Sequence, residues 1–301
     1  PDTSGLKVER HPTFRQRAAE SIAWLREDHA VIMGVRRYDV CMEVLLIALA
    51  ALAASALTLV SGFGLSTALV PVFALFFPLP LAIGAVAFVH LINTLFKVAL
   101  LWRAVDWSAA LRFGLPAAGA ALLGAALLGA LGAATPLFSY ELAGARAAVT
   151  PLKLVVGLII LLLVALEASP LASSLQISPR ALPIGGLLSG FFGGLTGNQG
   201  VLRSAFLLRL QLKPEQFAAT GAVGAAFVDL SRLAVYGSGA SALALSTEGP
   251  LRHALIGATA AALVGAAVGR QLVRYMSGTL LRRIVAVAMM LIALLMIAGL
   301  I

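Results

Sequence analysis

Two apolar segments of the chain each carry a row of polar side chains at helical spacing. At positions i, i+3 and i+7 these are His90, Asn93 and Lys97 in the first segment, and Asp229, Arg232 and Tyr236 in the second. Residues at this spacing share one face of a helix, so each row predicts a polar stripe. An ionisable group inside a membrane span costs roughly 2.5–3.5 kcal/mol on insertion scales, so these residues indicate a function.

A glycine-rich stretch, Gly185–Arg203, adds a second polar feature. Seven of its nineteen residues are glycine, and Asn198, Gln199 and Arg203 lie among them. Such glycine density predicts backbone that is unwound or closely approached. Unwound backbone at membrane depth must face protein, water or a ligand, because lipid offers no hydrogen-bond partners. The alternative is that the glycines only let helices pack closely.

Together these residues predict one polar cavity suited to an anion. Lys97, Arg203 and Arg232 outnumber Asp229, and interrupted helices expose N-terminal amides that bind anions. A guanidinium fork suits an oxyanion such as a sulfonate, sulfite or carboxylate. The predicted substrate contacts are Lys97, Asn93, Asn198, Gln199, Arg203, Arg232, Gly62, Gly64, Gly197 and Gly200. His90 and Asp229 are the candidates for carrying a coupled proton.

Three other interpretations of these charged residues stay open. Lys97 is close enough to Trp102 in sequence to extend to the membrane interface. Asp229 and Arg232 could form an ion pair that is only structural. Arg203 could also lie near an interface, because the depth of the glycine-rich stretch is not fixed by its sequence.

The composition places the chain in a membrane. Of its 301 residues, 60% are hydrophobic and 12% are charged, whereas soluble domains carry roughly 25% charged residues. Apolar runs recur near the ~20 residues that cross a bilayer as a helix. These runs are apolar on every face rather than alternating, which excludes a membrane barrel. We expect an all-α polytopic membrane protein.

Several other classes of protein are disfavoured. The net charge of +9 comes from basic residues placed singly in short loops, so they are orientation signals rather than a nucleic-acid surface. Cys41 is the single cysteine, which excludes an internal disulfide and a cysteine metal site. No nucleotide, metalloprotease or nucleophile-elbow motif is present, so we expect no metal, no cofactor and no enzymatic activity. An intramembrane enzyme would need His90 to act with Ser189 or Ser204, and no spacing supports that pairing.

The chain divides into a polar arm and two transmembrane halves. Residues 1–40 form the arm, which contains a possible amphipathic surface helix. Residues 41–168 and 181–301 are the two predicted repeats. The first apolar block is too long for one span and is predicted to break at Ser61–Gly64 and again at Pro71. The predicted apolar segments are Cys41 to Leu79, Leu81 to Trp102, Leu111 to Leu131, Pro151 to Leu166, Pro183 to Leu210, Phe217 to Tyr236, Leu251 to Val273 and Leu281 to Ile301.

The order of features indicates an internal duplication. An offset of 135 residues places Ser61 on Thr196 and Lys97 on Arg232, and each half has a glycine break before a helix with a basic residue. Under the positive-inside rule, the loop charges favour an inverted repeat whose 183–210 block returns as a re-entrant hairpin. An alternative in which every block spans and the amino terminus is outside fits the charges nearly as well.

The sequence resembles a known family. Ser61-Gly-Phe-Gly64 followed by Leu69-Val-Pro71, the Arg103–Trp107 turn and the second glycine break are similar to motifs of the TauE/SafE family of probable sulfite and organosulfonate exporters. The resemblance covers the chain from about Cys41 onward. It departs at Leu65-Ser66 and Asn198-Gln199, where glycines are common in the family.

The resemblance implies a secondary transporter of the bacterial inner membrane. Members would have seven to nine spans in duplicated halves and would move small sulfur-containing anions. The expected partners are therefore a small anionic substrate and the lipid bilayer, with no nucleic acid. The alternatives are a passive anion channel and a membrane subunit of a larger complex.

Overall fold

The computed structural model describes residues 40–61, 65–142, 145–169, 178–236, 250–272 and 278–300. Within them lie ten α-helices and one two-stranded sheet. The helices are α1 Val40–Ser61, α2 Leu65–Ala74, α3 Leu79–Leu101, α4 Trp107–Gly132, α5 Pro151–Ala168, α6 Leu182–Thr196, α7 Gly200–Leu207, α8 Pro214–Tyr236, α9 Pro250–Leu272 and α10 Gly278–Ile297. The predicted arm before Val40, with Gly62 and Gly64, lies outside the described residues.

The predicted helical membrane class is confirmed in the described part of the chain. Four stretches are long and apolar enough to cross a membrane: Leu79–Ala104, Trp107–Gly132, Pro214–Tyr236 and Leu251–Gly269. Shorter apolar helices cover Cys41–Ala56, Leu65–Ala74 and Pro151–Leu166. The predicted break at Pro71 is wrong, because that proline lies inside α2. A proline prevents one backbone hydrogen bond, and the packed helix tolerates that loss.

Helix starts coincide with capping residues. Asp106, in the predicted boundary turn, accepts a hydrogen bond from the Ala109 amide at 3.0 Å and so caps α4. Thr150 caps α5 in the same way, with Pro151 in the first helical position. These residues satisfy amides that have no partner within the helix, which fixes where each helix begins.

Close helix pairing gives most glycines of the 185–203 stretch a packing role. Glycines one turn apart on α6 face carbonyl groups of α4: Gly186 faces Phe113, Gly190 faces Ala117 and Gly194 faces Ala121. Gly124 of α4 faces the Phe191 carbonyl in return. Because both residue series ascend together, α4 and α6 run parallel. The packing interpretation of these glycines is therefore correct for this face of α6.

A second pair of helices packs in the same manner. Gly265 of α9 faces the Leu52 carbonyl, and Gly269 faces the Ala56 carbonyl. These contacts also ascend together, so α9 and α1 run parallel. Any side chain at these glycines would overlap the backbone of α1, which ties the amino-terminal described helix to the penultimate one.

The backbone leaves the helix at the end of α6 and reverses direction. Gly197 has φ +81°, a left-handed conformation that favours glycine and ends the helix. Ser189 then donates a hydrogen bond to the Gln199 carbonyl at 2.8 Å. Further on, the Phe206 ring packs against Gly185. Later residues of α7 thus meet earlier residues of α6, so the two helices form an antiparallel hairpin.

One β-hairpin interrupts the helical fold in the described residues and was not predicted. Strands β1 (Phe138–Leu142) and β2 (Ala145–Val149) pair antiparallel between α4 and α5. The Ala148 amide donates to the Gly299 carbonyl at 3.2 Å. Lys153 Nζ donates to that carbonyl at 3.2 Å and to the Ala148 carbonyl at 3.1 Å. The hairpin is thereby joined to the end of the last helix.

We predict that Gly124→Ala destabilises the protein by about 1–3 kcal/mol, because the added methyl group overlaps the backbone of α6. The matched control is Gly119→Ala on the same helix, where an added methyl group meets nothing within 4 Å. Thermal unfolding in detergent should show a lower midpoint for Gly124→Ala only. Equal midpoints in both variants would contradict the proposed α4–α6 packing.

Candidate functional site

The two polar stripes meet where α3 crosses α8. His90 Nδ1 lies 2.6 Å from Asp229 Oδ2, and both side chains are buried. Further along the crossing, a methyl group at Gly84 would lie 3.9 Å from the Tyr236 ring. One residue series descends while the other ascends, so α3 and α8 run in opposite directions.

Asp229 is the hub of the buried polar cluster. Its Oδ1 accepts hydrogen bonds from Arg232 Nε at 3.1 Å, Arg232 Nη2 at 2.7 Å and Gln199 Nε2 at 3.1 Å. The side chains of Asp229 and Arg232 have 0% exposure. A buried carboxylate is tolerated only when charged and polar donors compensate its lost hydration, as they do here. The ion pair that was an open alternative is thus present.

The start of α7 carries buried polar groups that, unlike Asp229, make few side-chain hydrogen bonds. The Asn198 side chain is 2% exposed, and neither its oxygen nor its nitrogen has a hydrogen-bond partner in the described part of the chain. Gln199 Oε1 and Ser204 Oγ are also buried without a partner there. The first amides of a helix have no intrahelical acceptor, so this end of α7 combines backbone and side-chain donors.

The start of α2 lies against the α6–α7 break. Ser66 Oγ donates to the Gly197 carbonyl at 2.8 Å, and a methyl group at Gly197 would lie 3.1 Å from Val70 Cγ2. The same methyl group would lie 3.3 Å from Arg232 Nη1. Gly197 therefore has two roles, since its φ ends the helix and its small size lets α2 and Arg232 approach.

Lys97 is directed into the protein. With the Asn93 amide turned so that its oxygen faces Lys97, that oxygen accepts from Nζ at 3.3 Å. The amide nitrogen then donates to Ser55 Oγ at 3.0 Å. Because Asn93 lies one turn before Lys97, the ammonium points away from Trp102, and the interface interpretation of Lys97 does not describe this structure.

Arg203 is buried against a small-residue face of α8. Its exposure is 5%, and a methyl group at Gly221 would lie 3.6 Å from its Nε. Arg203 is therefore enclosed by protein, whatever its depth in the membrane. Its charge interacts with those of Lys97, His90 and Asp229. Two cations, one on α3 and one on α7, thus lie within electrostatic range of one another.

Several of the predicted substrate contacts lie close to one another or to the two proton candidates, His90 and Asp229. Gln199 and Arg232 donate to Asp229, Gly197 lies close to Arg232, and Asn93 lies beside Lys97. Asn198 and Gly200 lie at the start of α7. Gly62 and Gly64 lie outside the described residues. The sequence did not identify the hydroxyl groups of Ser55 and Ser66 as members of the cluster, whereas Tyr236 belonged to the predicted stripe. Tyr236 donates to the Gly194 carbonyl, while serines in apolar helices resemble ordinary small packing residues.

A comparison with known protein families identifies the family of this chain. The family model described as "Sulfite exporter TauE/SafE" matches residues 47–296. The chain belongs to the TauE/SafE family. No curated protein and no solved structure matches it. This TauE/SafE protein is thus a multi-pass membrane protein of a transporter family, and its buried polar cluster lies within the matched residues.

We predict opposite stability effects at two buried polar residues of this TauE/SafE protein. Asp229→Asn leaves the buried Arg232 without its counter-charge and should destabilise by about 3–5 kcal/mol. Asn198→Ala removes an amide that makes no hydrogen bond in the described residues, so its unfolding midpoint should stay at or above that of the wild type. Differential scanning fluorimetry in detergent measures both. A large loss in Asn198→Ala would show that its amide has a structural partner.

Proposed function

We propose that this protein is a secondary transporter that moves small anions, sulfite or organosulfonates, across the bacterial inner membrane. Membership of the TauE/SafE family supports transport. The observation that carries the anion assignment is that the Lys97 ammonium on α3 and the Arg203 guanidinium on α7 lie within electrostatic range of one another.

The helix boundaries support an internal duplication. A separation of 135 residues relates the ends of α1 and α6 at Ser61 and Thr196, and the starts of α2 and α7 at Leu65 and Gly200. The same separation relates both ends of α3, Leu79–Leu101, to both ends of α8, Pro214–Tyr236. Helix pairing repeats as well. Helix α6 packs on α4, and their counterparts under the offset, α1 and α9, pack on each other.

The orientation of the equivalent helices supports an inverted repeat rather than a parallel one. Helices α3 and α8 correspond under the offset, yet they run in opposite directions where His90 meets Asp229. The antiparallel α6–α7 hairpin agrees with the re-entrant segment that such a topology requires. Inverted repeats with a site at their interface are a recurring design of secondary transporters.

The charge of the cluster favours an anion. By formal charge, its members Lys97, Arg203 and Arg232 contribute three positive charges against one negative charge on Asp229. That carboxylate is shared by Arg232, His90 and Gln199. Like charges repel strongly where water is scarce, so Lys97 and Arg203 would be stabilised by an anion between them.

The available donors suit a small oxyanion. Donors at or near the start of α7 are the Arg203 guanidinium, the Asn198 amide and the first backbone amides, and the Lys97 ammonium lies within electrostatic range of Arg203. A sulfite or sulfonate group presents three oxygens, which such a set of donors can contact simultaneously. Helix N-termini favour anions without requiring a further charged side chain. We therefore assign the substrate site to the space bounded by these groups.

We predict that Lys97→Gln and Arg203→Gln each weaken ethanesulfonate binding by about 10- to 100-fold, because each removes a charge-assisted contact in a site of low polarity. Lys213→Gln is the matched control, since Lys213 is exposed at the surface. Binding is measured by isothermal titration in detergent. Unchanged affinity in both site variants would remove the proposed site.

Transport itself is tested in proteoliposomes with labelled ethanesulfonate and labelled sulfite. We expect saturable uptake that is accelerated by unlabelled anion on the opposite side, because a carrier exchanges substrates. Uptake that shows neither saturation nor exchange would instead identify a passive channel. Failure of the purified chain to transport either anion, with binding intact, would favour a subunit of a larger complex.

A further inference from the structure

We propose that one proton accompanies each anion and that it binds at Nε2 of His90. This inference rests on the proposed function, and it assigns the coupling ion of the same site.

The hydrogen bonds around Asp229 determine the tautomer of His90. Oδ1 accepts from three N–H groups of Arg232 and Gln199, which stabilises the ionised carboxylate. An ionised carboxylate only accepts, so His90 Nδ1, at 2.6 Å from Oδ2, must donate. A neutral His90 then has its lone pair on Nε2. Proton binding there gives an imidazolium and leaves the bond to Asp229 in place.

Accessibility distinguishes His90 from its partners. The His90 side chain has 10% of its surface accessible, whereas the Asp229 and Arg232 side chains have 0%. Protonation of the imidazole therefore does not require the Asp229–Arg232 pair to break. Binding at Asp229 would instead require the loss of several hydrogen bonds.

Other charged groups also face the pair. Arg232 and Tyr236 of α8, Arg203 of α7 and Lys97 of α3 are the charged or titratable side chains near His90 and Asp229 in the described residues. Helix α2, which packs on α3, has no charged residue. Lys97 is the other group in this set that can release a proton, so the experiment must distinguish it from His90.

The charge of the site links the two ligands. With amines and guanidiniums charged and His90 neutral, three positive charges and one negative charge give the empty cluster a net charge of +2. A monovalent sulfonate lowers that charge by one, and a proton on His90 restores it. Each ligand therefore favours the binding of the other, and this effect is reciprocal. Joint movement of a monoanion and a proton is electroneutral.

The location of the proton site also suits coupling. His90 belongs to the first half of the chain and Asp229 to the second, and their contact joins the antiparallel helices α3 and α8. Any movement of one half against the other must change this contact. The proton site thus lies where the two halves would rearrange during transport.

The test uses ethanesulfonate, which stays a monoanion, in liposomes that contain a pH-sensitive dye and have a clamped membrane potential. In the wild type, we expect about one proton to enter per ethanesulfonate, at a rate independent of potential. In His90→Gln, whose amide can still donate to Asp229, we expect uptake without proton entry and with dependence on potential. His253→Gln, at an exposed histidine, is the control.

A binding measurement on the wild type keeps the inference testable if His90→Gln fails to fold. Ethanesulfonate affinity should weaken by about tenfold per pH unit over the range in which His90 loses its proton. Proton entry at the wild-type ratio in His90→Gln would overturn the proposal and direct attention to Lys97. Anion transport by the wild type without proton entry would also overturn it. Absence of anion binding would instead overturn the proposed function.

Discussion

A buried carboxylate in an apolar protein must find its hydrogen-bond donors within the chain. Asp229 does so with Arg232 on its own helix, Gln199 at the helix break and His90 on α3. Since these donors come from three elements, the carboxylate fixes α3, α8 and the start of α7 relative to one another. Removing any of these donors would leave a buried charge less compensated, which lipid cannot correct.

Glycine placement makes this arrangement possible. On α6, glycines at one-turn spacing allow α4 to approach until backbone meets backbone. Gly197 adopts the left-handed conformation that ends α6, and α7 then runs back beside α6. The same stretch therefore provides both close packing and an interruption. The packing holds the helix firmly enough that the unwound segment has a defined position.

The sequence predicted features that depend on local spacing. Helix positions followed from apolar run lengths, and the inward face of α3 and α8 followed from the i, i+3, i+7 rows of His90 and Asp229. It did not predict which residues pair, because His90 and Asp229 are separated by 139 positions. The roles of Ser55 and Ser66 also depend on helix contacts that no local pattern encodes. The β-hairpin was missed because two five-residue strands of mixed apolar and polar residues show little periodicity.

The β-hairpin introduces a difference between the two halves of the proposed repeat. The connection between α4 and α5 carries a sheet that is bonded to Gly299, whereas α9 ends at Leu272 and α10 begins at Gly278, which leaves no room for an equivalent. In an inverted repeat with identical halves, a two-fold rotation about an axis in the membrane plane would relate the inward-open and outward-open states, which would then be equal in energy. A hairpin on one side alone makes the two energies unequal. The carrier without substrate would therefore favour either the inward-open or the outward-open state.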